Sequence, residues 1–173
     1  MEIHDIESFL AYRRTVRART MRAVEAVPAD QLEWRHAGGT FSAGDLARHI
    51  AATERFTFAE IIQGRPSRYA GCGPDLAEGR DQILAFMEQM HQETTAILEG
   101  LAPADLERRV SSPQGVEIAT WKLLRAMIEH EIHHRGEIYV CLALLGVPRP
   151  PLFGLTSEEL IRRAAAGQAQ TRR

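Results

Sequence analysis

Three of the chain's seven histidines fall within five residues, in the segment His130-Glu131-Ile132-His133-His134-Arg135-Gly136-Glu137. Imidazole is a common ligand of divalent metals and titrates near neutral pH, so such a cluster points to metal or acid–base chemistry. The segment interrupts an amphipathic pattern in which Leu123, Met127, Ile138, Cys141 and Leu145 recur at steps of three and four. Continued through the gap, that stripe lands on His130 and His134, where a core would ordinarily take leucine. Residues four apart are neighbours on a helix, roughly 5–6 Å between Cβ atoms, which suits two ligands of one ion. Two adjacent buried imidazoles without a shared partner are costly, because each needs a hydrogen bond or a metal. The same phase excludes His133, which falls with Lys122, Ala126, Glu129, Gly136 and Val140 on a polar or small-residue stripe.

A metal on a helical bundle needs ligands from more than one helix. The stretch Ser42-Ala43-Gly44-Asp45-Leu46-Ala47-Arg48-His49 opens a second helix, with Ser42 as N-cap and Asp45 at capping-box spacing. Its inward face reads Leu46, His49, Ile50, Thr53, Phe56, Thr57 and Ile61. A lone histidine on an apolar face is more often a hydrogen-bonded core residue than a ligand. Beside an H-x-x-x-H pair on another helix, the two readings of His49 stand level. Three histidines with an open position fit a catalytic ion better than a structural one, which is usually closed by four protein ligands. The two cysteines, Cys72 and Cys141, are too far apart to form a CxxC unit.

Together these motifs resemble the DinB-like (DinB/YfiT-like) metalloenzyme family, which combines a serine-capped helix ending in histidine with a late helix carrying H-x-x-x-H followed by Arg-Gly-Gln. The resemblance runs from about residue 9 to residue 151. It implies a metal triad of His49, His130 and His134 holding a divalent ion, with zinc or nickel expected first among the ions that histidine-only sites accept. Some family members transfer low-molecular-weight thiols such as bacillithiol or mycothiol, or use them in isomerisation. The implied function is therefore a metal-dependent enzyme activating such a thiol, S-transferase-like, or a water, as a hydrolase does. The resemblance also implies a homodimer. Glu137 departs from the pattern, since the family usually has Gln there; the triad is untouched, but a supporting role for that position is in question.

Two other readings stand beside this one. Glu88 with His91, and Glu131 with His134, spell the Glu-x-x-His of di-iron bundles. Glu88 lies opposite the core stripe of its helix and is expected in water, which argues against that arrangement. The remaining alternative is a non-catalytic, stress-related bundle whose histidines hold a structural or vestigial metal. Glu131 borders the His134 face; a solvated helix charge is its default, with general base or orienting acceptor as the catalytic options. Arg13 lies beside the stripe Ile6, Leu10, Val16 and is the candidate for gripping an anionic group on a substrate, whereas Arg14, Arg17, Arg19 and Arg22 read as a solvated face.

The elements that must position these residues are helical. Patterns at about 5–27, 43–63, 79–100 and 119–145 predict four long helices, a capping box from Thr156 to Glu159 predicts a short C-terminal helix, and no strand is convincing. The stretch 64–78, with Pro66, Gly71, Gly73 and Pro74, is long enough to cross a bundle from end to end. The expected fold is all-α, an up-down-down-up four-helix bundle forming one domain over 1–173. That long stretch is also the expected lid. The proline-bearing segment 147–153 is expected either to pack on a partner or to fold over its own bundle. Cys141 reads as a buried small hydrophobe and Cys72, between two glycines, as an exposed loop thiol.

The formal net charge of −2 gives no basic excess for nucleic acid. No apolar run approaches the length of a membrane span, and the first five residues carry no secretory signature. A cytoplasmic protein acting on a small molecule is expected.

Overall fold

The computed structural model describes residues 3–39 and 41–171, with side chains to 166; Met1 and Glu2, part of the stretch read for a leader, lie outside the described residues. Helix α1 (Ile6–Glu25) is started by Asp5, whose carboxylate accepts from the backbone N–H groups of Glu7 and Ser8. Helix α2 (Ala43–Thr53) opens on the expected box. Asp45 N–H donates to Ser42 Oγ and Ser42 N–H donates to Asp45 Oδ2, each at 3.0 Å. Ser42→Ala should cost about 1–2 kcal/mol, the upper part of the N-cap range because this cap is buried, measured as a lowered urea midpoint.

Beyond Thr53 the helix passes through one π turn, Glu54–Phe58, before α3 (Ala59–Ile62). Ala59 N–H reaches back five residues to the Glu54 carbonyl. Such a turn carries an extra residue, rotates the following face, and is frequent at functional sites. Helix α4 (Gly79–Glu99), the short α5 (Pro103–Glu107), strands β1 (Arg109–Ser111) and β2 (Glu117–Ala119), α6 (Thr120–Leu144) and α7 (Ser157–Thr171) complete the order. The antiparallel hairpin corrects the expectation of no strands: three residues per strand are too few for a period-two pattern to register.

Two apolar clusters fix the helix directions. One gathers Phe9 and Leu10 from the start of α1, Ile62 from α3, Leu98 from the end of α4, and Trp121 and Leu124 from the start of α6. The other gathers Ala23 and Val24 from the end of α1, Leu46 and Ile50 from α2, Ile83 and Met87 from the start of α4, and Ile138 and Leu142 from the end of α6. So α1 and α6 run one way and α2 and α4 the other. That is the expected up-down-down-up bundle, with α2 packed on α4 and α6, and α1 packed on the same two. No helix among the described residues is long and apolar enough to cross a membrane.

Between the clusters lies a buried polar layer: Arg13, Arg17 and Thr20 from α1, Glu54 from the π turn, His91 and Thr94 from α4, Glu131 and Arg135 from α6. Helix α2 is enclosed on nearly every side, because chain outside the bundle covers its outer face. Arg48 donates to Glu33 and to the carbonyls of Cys72 and Ala77, binding the 28–36 and 64–78 segments over it. Gly44 allows that approach, since a Cβ there would meet Glu33 Oε1 at 2.6 Å and the Leu32 carbonyl at 3.1 Å. From Ser42 to Glu54 every residue is buried except the half-buried His49.

At the α3 end, Glu60 accepts from Arg55, Arg65 and Arg68. Hydrogen bonds from Arg65 first, then Arg68 and Arg55, outweigh burial and lower its pKa from 4.5 to about 2. A depressed carboxylate pKa contributes stability above its unfolded value and loses it as pH falls through the folded one. The urea midpoint should therefore drop between pH 4.5 and about 2, and Glu60→Gln should flatten that part of the profile.

Candidate metal centre

The half-buried His49 meets His130 and His134 where α2 packs against α6. Ring centroids of the three imidazoles lie 4.5–4.9 Å apart, and one potential ligand atom from each falls within 4.8 Å of the others. His49 Nε2 and His130 Nε2 are 3.0 Å apart. At that distance one of the two nitrogens donates its N–H to the other, or both lone pairs turn to a shared metal. Zn–N bonds of about 2.0–2.1 Å at the tetrahedral angle set two ligand nitrogens roughly 3.3 Å apart, close to this arrangement.

The outer side of two rings is also held. His134 Nδ1 lies 2.6 Å from Glu137 Oε2; a carboxylate only accepts, so Nδ1 carries the proton and Nε2 keeps its lone pair. His49 Nδ1 lies 2.8 Å from the Tyr69 hydroxyl and 3.3 Å from Thr53 Oγ1. With its Nδ1 proton given to either hydroxyl, its Nε2 likewise presents a lone pair. Burial, then the neighbouring His134, lowers the His49 pKa to about 4; burial, His134 and His49 lower that of His130 to about 3. Both are neutral near pH 7, which is the ligating form. Phe41 stacks near His49 and Phe58 stands edge-on to His130, giving the site apolar walls. The donor set, three imidazoles of which two have the outer nitrogen held, fits a divalent metal ion.

Tyr69 had no sequence signal, because the 64–78 segment that delivers it has no periodicity. Arg68 N–H donates to the Phe56 carbonyl and Ser67 Oγ bonds both that carbonyl and Thr57, so this strap is tied along the π turn. Tyr69→Phe should weaken metal affinity about tenfold, the low end of the 10–100-fold effect of outer partners, since Thr53 remains. Equilibrium dialysis with zinc measures it.

The other candidates sit elsewhere. Glu131, read by default as a solvated charge, is 2% exposed; it accepts from Thr20 at 2.6 Å and pairs with Arg17 at 3.1 Å. Arg13 does reach inward, but its guanidinium is fully enclosed and donates to Glu54, Thr95 and the His91 carbonyl, leaving it turned away from any substrate. Arg17, expected on the solvated face, is buried beside it. This layer adjoins the histidines, and the Glu54 charge acts on His130. His133 is 68% exposed at its side chain and Glu88 is exposed, both as the helical phase requires. Both cysteines are free and half-buried. A cleft of about 860 Å3 between the start of α1 and α6, lined by Phe9, Tyr12, Ile128 and Ile132, includes none of the three histidines.

The model of the DinB superfamily matches residues 13–138 of the chain. The chain belongs to the DinB superfamily. Within it, this DinB protein is 27% identical over 151 residues to the uncharacterized protein YjoA of Bacillus subtilis (strain 168), covering 86% of this chain and 93% of YjoA. Among solved structures, YfiT from Bacillus subtilis, described as a probable metal-dependent hydrolase with an unusual four-helix bundle topology, aligns with a TM-score of 0.67 at 18% identity, covering 84% of this chain and 90% of YfiT. A point mutant of the mycothiol-dependent maleylpyruvate isomerase aligns with a TM-score of 0.63 at 11% identity, covering 78% of this chain and 60% of the isomerase. At those identities the likeness is one of fold.

Proposed function

We propose that this DinB-superfamily protein is a metal-dependent enzyme in which His49, His130 and His134 hold one divalent ion, zinc or nickel, and a small thiol or a water is activated there for attack on a small electrophile. The observation that carries the reading is the convergence of three imidazoles, two of which have their outer nitrogen held, His49 by Tyr69 and Thr53 and His134 by Glu137. A divalent ion held by three uncharged ligands keeps its full charge toward a further ligand, and lowers the pKa of a thiol or water in that position.

The chain's own residues do the rest. Glu137 holds the His134 Nδ1 proton and so aims Nε2 inward. Burial, then Cys72, raises the Tyr69 pKa, so the phenol stays protonated and fixes the His49 ring by its hydroxyl. Phe41 and Phe58 limit water around the reacting position. The fold likeness to a mycothiol-dependent isomerase and to a probable metal-dependent hydrolase supports both choices of nucleophile. The test is a panel of bacillithiol, mycothiol, glutathione and cysteine with a chromogenic electrophile, and of ester and amide substrates, run with metal-loaded and metal-free protein. Turnover confined to the loaded form supports the reading; equal rates in both, or none with any substrate, favour a non-catalytic bundle.

The protein is further proposed to act as a cytoplasmic homodimer. The 147–153 segment lies on its own bundle, with the Tyr139 hydroxyl donating to the Pro150 carbonyl and Arg19 over the Phe153 ring, yet leaves Phe153 76% exposed for a partner. Light scattering should give twice the chain mass at micromolar protein; the monomer mass would remove the dimer.

A further inference from the structure

Outside the three-histidine centre, α6 presents a second set of ligand atoms. His133, His134 and Glu137 each offer one atom within 4.8 Å of the others. Glu137 Oε2 lies 2.6 Å from His134 Nδ1, and Glu137 Oε1 lies 3.6 Å from His133 Nε2. The spacing is that of one helical turn: Glu137 follows His133 by four residues and His134 by three, so all three side chains reach one spot. At their side chains His133 is 68% and Glu137 45% exposed, so both adjust to an ion from solution with the bundle intact.

We propose that these residues form an outer divalent-cation site that shares His134 with the inner one. Its chemistry differs from that of its neighbour. With Nε2 on the inner ion and Nδ1 on the outer one, His134 bridges as an imidazolate, so it and the Glu137 carboxylate bring two negative charges, and with His133 they leave open positions for water, a set that suits zinc, nickel or ferrous iron. Binding exchanges one link for another. The proton between His134 Nδ1 and Glu137 passes to solvent, the ion takes its place with His133 Nε2 as third ligand, and no electron changes hands. Glu137 then no longer accepts from His134, so filling the outer site alters the support of an inner ligand. Cation in excess of one per chain therefore acts on the centre from outside.

The sharing of His134 rests on the function proposed above; the affinity of His133 and Glu137 for a cation does not. The experiment is a titration of untagged protein with zinc alone, followed by calorimetry and by equilibrium dialysis with elemental analysis. Wild type should show a tight first equivalent and a weaker second one. His133→Ala, a change at an exposed side chain, should lose only the second, and the His133 imidazole proton signals should move during the second equivalent and not the first. His49→Ala should lose the tight step and keep the weak one, so failure of the inner reading shows up separately from failure of the outer. Saturation of wild type at one zinc under millimolar metal, or a second equivalent that survives His133→Ala, overturns the outer site.

Discussion

Glu54→Ala is expected to destabilise the protein by about 3–5 kcal/mol, the range for a buried charge left without its partner. Glu54 is 3% exposed and accepts from Arg13 at 2.7 and 3.3 Å and from Arg17 at 2.8 Å. Without it, Arg13 keeps Thr95 and the His91 carbonyl, but Arg17 keeps only its pairing with Glu131. Two further nitrogens of Arg17, Nε and Nη1, already lack a hydrogen-bond partner among the described residues. An arginine does not escape by losing its proton, so the cost falls on the fold. Burial opposes the Glu54 charge, but Arg17 and Arg13 more than offset it and hold the carboxyl well below the ordinary range. Its stabilisation is thus present above the ordinary carboxylate pKa and lost on acidification. Denaturant unfolding of wild type and variant at pH 7 measures the difference; a loss under about 1 kcal/mol, the scale of exposed pairs, would mean that water screens this layer.

His130→Ala should abolish stoichiometric metal, and His49→Ala and His134→Ala should do the same. Loss of one of three direct ligands should exceed the 10–100-fold reduction typical of outer partners. His130 is the sharpest case: it lies 3.0 Å from His49 Nε2, and its pKa near 3 keeps it a neutral donor over the working pH range. His133→Ala should leave the tightly held ion in place, because that side chain points away from the other helix.

Helical phase alone brings His130 and His134 to one face and excludes His133, because a 3.6-residue period needs no tertiary information. The bundle and its direction were legible for the same reason, together with a connection at 64–78 long enough to cross it. Glu131 and Arg17 were not legible. Charges in their positions are ordinarily solvated, and their mutual pairing, with Glu54 beside Arg17 and Thr20 beside Glu131, makes their burial tolerable. Periodicity assumes a constant helix, so the π turn that carries Glu54 into the core leaves no trace in it. Tyr69 comes from a loop whose path is set by Arg48, Thr57 and Phe56, contacts that no local pattern encodes.

Elemental analysis of protein purified without a histidine tag, beside His134→Ala and His133→Ala prepared identically, bears most directly on the centre. One divalent ion per chain in wild type and in His133→Ala, and none in His134→Ala, is the predicted result. Wild type without stoichiometric metal, or an ion that survives His134→Ala and leaves with His133→Ala, would contradict it.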